Sequence, residues 1–193
     1  MEEKRLEVRH LKKYFHTPAG LLHAVDDVDF SIPKGKTMGV VGESGCGKST
    51  LGRSLLCLEP PTAGEILFEG KNIAALSKRE MKKVRPKIQM VFQDPYSSLN
   101  GRMTVRQLIA EPLLVNKICK NRAEVDKKVD EMMETVGLAR RLDMAYPHEL
   151  DGGRRQRVGL ARAMVTEPKF VVCDEPVSAL DVSIQAQILN LLM

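Results

Sequence analysis

A short glycine-rich segment ends in lysine, serine and threonine, and these residue types at this spacing can hold the phosphates of a nucleotide. It consists of Gly42, Glu43, Ser44, Gly45, Cys46, Gly47, Lys48, Ser49 and Thr50. Glycines let the backbone turn sharply, so that successive N–H groups line an anion-binding concavity at the start of a helix. We expect Lys48 to reach the outer phosphates and Ser49 to offer its hydroxyl to Mg²⁺.

The residues on either side of this phosphate loop predict a strand before it and a helix after it. Residues 36–41 form an apolar run with β-branched side chains, which is typical of a buried strand. Leu51, Leu55, Leu56 and Leu58 recur after the loop at helical spacing. A glycine-rich turn without a ligand is the alternative, and the order strand, loop, helix favours phosphate binding over it.

A second pair of residues offers the chemistry that a phosphate loop lacks. Asp174 and Glu175 follow the apolar run 170–173, which predicts a strand buried on both faces. At the carboxyl end of such a strand, Asp174 can hold Mg²⁺ and Glu175 can deprotonate an attacking water. A solvated turn would be the better interpretation of an isolated Asp-Glu pair, and the phosphate loop elsewhere in the chain favours the metal and base roles.

The middle of the chain combines one candidate site residue with a helical region. Gln93 ends the strand-like run 87–92, and its amide can bind water or Mg²⁺, although glutamine is also common on surfaces. From residue 104 to 142 the pattern is helical, which predicts a helical insertion between sheet strands. Its apolar face, where the methionines are expected in the core, holds Val125, Val129, Met132, Met133 and Val136.

The length favours one domain over residues 1–193, and strands that alternate with helical patterns indicate an α/β sheet. The net charge is +5 and the pI is about 9.0. The basic run 78–87 offers a face to nucleic acid or anionic lipid, but a solvated basic face is the commoner explanation. The four cysteines lack metal-ligand spacing, so we expect reduced thiols and no structural zinc. No apolar stretch is long enough to span a bilayer.

Asp151, Gly152 and Gly153 open a further helical run, and a glycine pair at that place is again a site for an anion. Together with the phosphate loop, Gln93 and the Asp174-Glu175 pair, this order resembles the ATP-binding-cassette (ABC) ATPases over essentially the whole chain. Residues 94–100 and 173–187 are similar to the subunits that power bacterial oligopeptide and dipeptide importers. The resemblance implies a P-loop NTPase fold with an N-terminal antiparallel β part and a helical subdomain at about 94–160, lacking the C-terminal strands.

The resemblance also implies a role for each site residue. Phe15 occupies the position of the aromatic ring that stacks on adenine, with Tyr14 as the neighbouring alternative. Gly42 to Thr50 hold the phosphates of ATP, while Ser49, Gln93 and Asp174 bind Mg²⁺. Gln93 also senses the membrane partner, and Glu175 activates the water. Residues 151–153 contact ATP held by the opposite subunit, and Asp181 lies along that interface.

The partners implied are those of a transport ATPase on the cytoplasmic face of the membrane. Two such ATPase domains, in a homodimer or a heterodimer, sandwich two ATP molecules and drive a membrane permease. A solute-binding protein outside the membrane takes part indirectly, and nucleic acid is not among the expected partners. Peptides are the substrates that the resemblance favours, with other small solutes as the alternative.

Two departures from the family pattern shape these expectations. Asp151 and Arg154 stand where the family has serine and usually glutamine, and a carboxylate near the γ-phosphate is expected to weaken nucleotide-driven closure. The chain ends at Met193, before the strand and the histidine that family members continue into, which predicts weak stability and little hydrolysis.

A truncated, non-catalytic nucleotide-binding remnant is therefore one alternative to the transport ATPase. A soluble ABC ATPase of DNA repair or translation is another. Repair members place a long coiled coil between the positions of Gln93 and Leu150, which here are only 57 apart (150 minus 93). Translation members usually carry two cassettes. Both observations favour the transport subunit.

Overall fold

The structure, a computed structural model, describes residues 3–94, 98–175 and residue 185. The chain divides into two compact units, Met1–Val84 and Arg85–Met193, and each is described by itself. The prediction of one domain over residues 1–193, with a helical subdomain at about 94–160, stays a prediction.

The first unit is built around an antiparallel sheet of four strands in the order β2-β1-β3-β4. Long strands form its centre because two segments of 14 residues each follow one another across a tight turn at Pro18 and Ala19. The strands are β1 (Lys4–Thr17), β2 (Gly20–Pro33), β3 (Ala63–Phe68) and β4 (Lys71–Asn72), and the helices are α1 (Lys48–Leu55) and α2 (Lys78–Val84).

A bulge in β1 keeps the apolar side chains of this strand on the core side. Leu6, Val8 and Leu11 are all buried, so one extra residue interrupts the two-residue period between Val8 and Leu11. His10 lies at this point with φ of 49°, in the left-handed region. Gly64 on β3 passes beneath it, and a Cβ atom at Gly64 would come within 2.4 Å of the carbonyl oxygen of His10. The sheet therefore requires glycine at this position.

The strand predicted at residues 36–41 is not formed, and that prediction is wrong for the part of the chain that the structure describes. These residues lie in neither strand nor helix, and the side chain of Val41 is 97% exposed. A strand is stable only where a neighbouring strand takes up its backbone N–H and C=O groups. The four strands of the first unit pair with one another and leave residues 36–41 without such a neighbour. The helix predicted after the phosphate loop is confirmed by α1.

Among its described residues, the second unit combines a pair of parallel strands with helices that lie between them in the chain. The strands are β5 (Ile88–Val91) and β6 (Phe170–Cys173), and the helices are α3 (Val105–Val115), α4 (Arg122–Thr135) and α5 (Gly152–Met164). Short 3-10 turns occur at Arg85–Lys87, Arg140–Leu142 and Pro147–Glu149. The parallel pairing runs from Ile88 opposite Phe170 to Val91 opposite Cys173.

The burial predicted for β6 is only partly observed. Phe170, Val171 and Val172 are half-buried and Cys173 is exposed, so the strand is not covered on both faces among the described residues. An apolar run shows that a segment can form a buried strand, but the elements packed against it decide how far it is covered.

Side chains cap the N-termini of the helices α3 and α4 in the second unit. Thr104 and Gln107 form a capping box at α3, in which each side chain accepts a hydrogen bond from the other residue's backbone N–H. At α4, Asn121 accepts from the backbone N–H of Glu124 at 2.9 Å. These caps satisfy N–H groups that the helices themselves leave without partners.

The apolar faces of the three helices meet in one hydrophobic cluster, which includes Val91 at the end of β5. The predicted core positions Val125, Val129, Met133 and Val136 are buried, and Met132 is partly buried against the cluster. The helical pattern of the sequence and the core role of its methionines are thereby confirmed. Because α3, α4 and α5 share this cluster, they support the loops that follow β5 and precede β6.

Replacing Met133 by alanine should lower the free energy of unfolding of the helical region by about 2 to 5 kcal/mol. The side chain is 1% exposed, so its removal leaves a cavity among packed helices. Met144→Ala is the matched control, because that side chain is 66% exposed, and it should change stability by less than about 0.5 kcal/mol. Urea unfolding followed by circular dichroism measures both, and equal effects would show that Met133 does not pack in the core of the helical region.

Candidate functional site

The phosphate loop has a conformation that depends on two of its glycines. Gly45 and Gly47 have φ of 79° and 96°, in the region that favours glycine, and Gly47 is the residue before α1. A Cβ atom at Gly47 would lie 2.2 Å from the carbonyl oxygen of Ala24 on β2. The loop thus packs its backbone directly against β2, where no other residue type fits.

The side chain of Lys48 is held by the loop itself. Its Nζ donates to the carbonyl oxygens of Gly42 at 2.8 Å and Glu43 at 2.6 Å, and it lies 3.8 Å from Sγ of Cys46. The N–H groups of Gly45 and Gly47 donate to no acceptor within the described residues. A positive charge and open N–H groups at the start of a helix form an anion site, so the loop fits a phosphate group.

The two aromatic candidates near the tip of the β1–β2 hairpin have different surroundings. Tyr14 stacks on His23 with ring centroids 4.0 Å apart, and its hydroxyl donates to Asp26. This hydrogen bond raises the pKa of Tyr14 to about 12. Phe15 carries no such polar contacts, and Nζ of Lys13 lies 4.8 Å from its ring centroid. Each ring therefore has a neighbour on one face, His23 for Tyr14 and Lys13 for Phe15, and the hydroxyl of Tyr14 is also engaged by Asp26.

The second unit brings two of the predicted site residues into direct contact. The backbone N–H of Asp174 donates to the carbonyl oxygen of Val91 at 2.9 Å, which continues the parallel pairing beyond β6. Nε2 of Gln93 then donates to Oε2 of Glu175 at 2.7 Å. The metal candidate Asp174, the base candidate Glu175 and the amide of Gln93 are consequently gathered at the carboxyl ends of β5 and β6. Carboxylate and amide oxygens are ligands that suit Mg²⁺.

Asp151 has a structural role that the sequence did not reveal. It is the N-cap of α5, where its Oδ1 accepts from the backbone N–H of Arg154 at 2.7 Å. Its Oδ2 lies 3.4 Å from Nε of the same arginine, forming an ion pair. Gly152 begins the helix with open space around it, since a Cβ atom there would meet nothing within 4 Å. The carboxylate is thus engaged by both the backbone and the side chain of Arg154.

Arg162, which the sequence did not mark as important, joins the helices to the segment after Gln93. Arg162 on α5 donates to the carbonyl oxygen of Ser98 and to Oε2 of Glu111 on α3, each at 3.0 Å. One guanidinium group thereby joins two helices and the segment that follows β5. No motif marks this arginine, because its partners lie 64 and 51 residues away in the chain.

The predicted sites fall in different parts of the chain. Gly42 to Thr50 and Phe15 belong to the first unit, while Gln93, residues 151–153, Asp174 and Glu175 belong to the second. Asp181 lies outside the described residues. No helix among the described residues is long and apolar enough to cross a membrane.

Comparison with known proteins identifies a family. Residues 25–178 match the family model described as "ABC transporter". The chain is 53% identical over 193 residues to the oligopeptide transport ATP-binding protein OppF of Bacillus subtilis, covering 100% of this chain and 63% of that protein. It is 50% identical over 186 residues to OppF of Escherichia coli, covering 96% of this chain and 56% of that protein. The chain therefore spans about three fifths of the length of these relatives.

Solved structures give the same result for the fold. A dimeric post-hydrolysis state of the ATP-binding cassette MJ0796, bound to ADP and Pi, matches with a TM-score of 0.89 at 29% identity. The alignment covers 97% of this chain and 81% of that one. CbiO1 from Clostridium perfringens, part of the ABC transporter complex cbiONQ, matches with a TM-score of 0.80 at 31% identity, over 99% of this chain and 73% of that one. The predicted α/β class of the ABC ATPase type, with an N-terminal antiparallel β part, is confirmed.

Gly47→Ala should abolish phosphate binding by the loop, because a Cβ atom at this position collides with the backbone of Ala24. Gly39→Ala is the control, since a Cβ atom there meets nothing within 4 Å and the backbone is not left-handed. Titration of each variant with inorganic triphosphate, followed by calorimetry, measures the effect. Unchanged binding by Gly47→Ala would show that the loop does not hold the anion.

Asp151→Ala should lower stability by about 0.5 to 2 kcal/mol, because the helix loses the side chain that caps it. Asp151→Ser should retain most of this stability, since a serine hydroxyl also accepts from the third backbone N–H of a helix. Thermal unfolding of the three proteins checks the ranking. If serine proved as harmful as alanine, the ion pair with Arg154 rather than the cap would be the stabilising contact.

Proposed function

Since the chain belongs to the ABC transporter family, we propose that it binds and hydrolyses ATP as the energising subunit of an importer for peptides or similar small solutes. The observation that carries this proposal is the phosphate loop, in which Nζ of Lys48 contacts the carbonyl oxygens of Gly42 and Glu43 and the sulfur atom of Cys46. An incoming triphosphate offers the ammonium group charged oxygens in place of neutral carbonyls. The attraction between opposite charges adds to the hydrogen bond when the acceptor is a phosphate oxygen, so the exchange favours binding.

Other predicted site residues offer the remaining chemistry that ATP binding requires. We expect the N–H groups of Gly45 and Gly47 to donate to phosphate oxygens, and the ring of Phe15 to stack on the adenine. Ser49, Asp174 and Gln93 supply oxygen ligands suited to Mg²⁺, which neutralises charge on the phosphates when bound.

Glu175 is the proposed general base. Its carboxylate lies at the end of β6 and can take a proton from the water that attacks the γ-phosphate. Gln93 contacts this carboxylate directly, which keeps the proposed base and the amide that follows β5 together. Hydrolysis therefore draws on residues that the second unit already holds in place.

The proposed partners follow from the relatives. The MJ0796 cassette is dimeric and CbiO1 belongs to a transporter complex, which supports a second ATPase subunit and a membrane permease for this chain. Residues 151–153 and Asp181 would face the nucleotide of the second subunit in such a dimer. The proposed location is the cytoplasmic face of the membrane, with a solute-binding protein as an indirect partner and peptides as the cargo of the complex.

Lys48→Ala should weaken MgATP binding by about 10- to 100-fold, the value of losing one hydrogen bond from a charged group. Lys36→Ala is the matched control, because it removes an equal charge from the same unit outside the loop and should leave affinity unchanged. Fluorescence titration with a labelled ATP analogue measures both. If the two variants bound MgATP with equal affinity, the phosphate loop would not be the ATP-binding element.

Glu175→Gln separates the two halves of the proposed function. It should retain MgATP affinity within about twofold and lower the turnover at least 100-fold, because general-base catalysis contributes about 10² to 10⁴. Turnover is measured by phosphate release from the chain alone and with its permease. If the unsubstituted protein binds MgATP but shows no turnover, the proposal that it binds ATP stands and the proposal that it hydrolyses ATP is overturned.

A further inference from the structure

The contact between Gln93 and Glu175 joins two side chains that lie 82 residues apart in the chain. It is fixed by the strands that precede them, since β5 and β6 pair in parallel as far as Val91 and Cys173. The hydrogen bond from the N–H of Asp174 to Val91 then holds the two chain segments together for one residue more. The pairing of the backbone therefore places the amide and the carboxylate next to each other.

The backbone of Glu175 turns at this point. Its φ is 48°, in the left-handed region that residues other than glycine adopt only rarely. A side chain on a continuing strand would point away from Asp174 by simple alternation, whereas a left-handed residue redirects it. The Gln93 contact is made from this turned conformation, so the direction of the Glu175 carboxylate depends on the turn and on the hydrogen bond.

The two ends of the Gln93 amide have different chemistry. The NH₂ group is a donor and is used on Glu175, whereas the oxygen Oε1 is an acceptor that receives no hydrogen bond from the described residues. An amide oxygen suits Mg²⁺, and a carboxylate suits the N–H donor. One side chain can therefore serve both groups at once, through opposite ends.

We propose that Gln93 is a positioning residue for Glu175: its Nε2 holds the carboxylate in the orientation of a general base, while its Oε1 stays available to the cation. This inference rests on the proposed function and adds to it a donor role for Gln93. A residue that acted only through its oxygen would need no contact with Glu175, and glutamate would replace it without loss.

Gln93→Glu tests the donor role because it keeps an oxygen for the cation and removes the N–H. The variant places two carboxylates side by side, so Glu175 loses the hydrogen bond from Nε2 and is repelled by the new negative charge. We expect kcat to fall about 10- to 100-fold, the value of one hydrogen bond to a charged group, with KM for MgATP changed by less than about threefold. Gln89→Glu is the matched control, because the amide of Gln89 donates to the backbone of Arg85 and lies outside the site.

A spectroscopic measurement tests the contact without any turnover. In ¹⁵N spectra of the nucleotide-free 193-residue chain, the side-chain NH₂ resonance of Gln93 should move when Glu175 is replaced by alanine. The NH₂ resonance of Gln89 should stay in place in the same spectra, since its acceptor is unchanged. Assignment by the loss of one signal in Gln93→Leu and one in Gln89→Leu completes the experiment.

The two tests separate this inference from the proposed function. If the NH₂ resonance of Gln93 stays in place in Glu175→Ala, the positioning role is overturned, whether or not the protein hydrolyses ATP. If it moves but Gln93→Glu retains full kcat in an active protein, the contact exists and the positioning role is again overturned. If it moves in a chain that neither binds nor hydrolyses ATP, the proposed function fails while the amide–carboxylate contact stands.

Discussion

The parallel pairing of β5 with β6 is the constraint on which the second unit depends. The two strands are separated by the whole helical region, and parallel strands can be joined only by such a long crossover. Helices α3, α4 and α5 fill that crossover and bury one common apolar cluster. Because the carboxyl ends of both strands then lie at one edge, Gln93 and Glu175 meet there. Without the pairing, nothing would hold these two side chains within hydrogen-bonding distance.

The first unit depends on a different constraint, the close approach of backbone to backbone. Gly47 lies against the carbonyl of Ala24, and Gly64 lies against that of His10, at distances that exclude a side chain. The first contact fixes the phosphate loop to β2, and the second allows the bulge that keeps the core side of β1 apolar. In both places glycine is required by packing as well as by its left-handed backbone.

Charged side chains in the second unit are used mainly to join elements. Arg106 on α3 makes ion pairs with Asp126 and Asp130 on α4 and with Asp143, and Arg162 joins α5 to α3. Asp151 follows the same logic, since its carboxylate caps α5 and pairs with Arg154. Its charge is already engaged before any ligand arrives. Pairs that are open to solvent, such as Asp151 with Arg154, contribute little stability individually, and their value lies in holding orientations.

The sequence by itself determined the local features: the phosphate loop, the helix after it, the helical faces that contain Met133, and the identity of Gln93 and Glu175 as candidates. Each depends on residues close together in the chain, whose spacing matches a helix, a turn or a capping motif. The tertiary structure decided which segments pair as strands and which distant side chains come into contact. Residues 36–41 have strand composition but no neighbouring strand in the first unit, so they form none. Glu175 is adjacent to Asp174 in sequence, yet the amide that contacts it belongs to Gln93, which follows β5 and lies 82 residues away. Backbone hydrogen bonds and side-chain contacts between distant segments carry no local pattern, which is why only the folded chain reveals them.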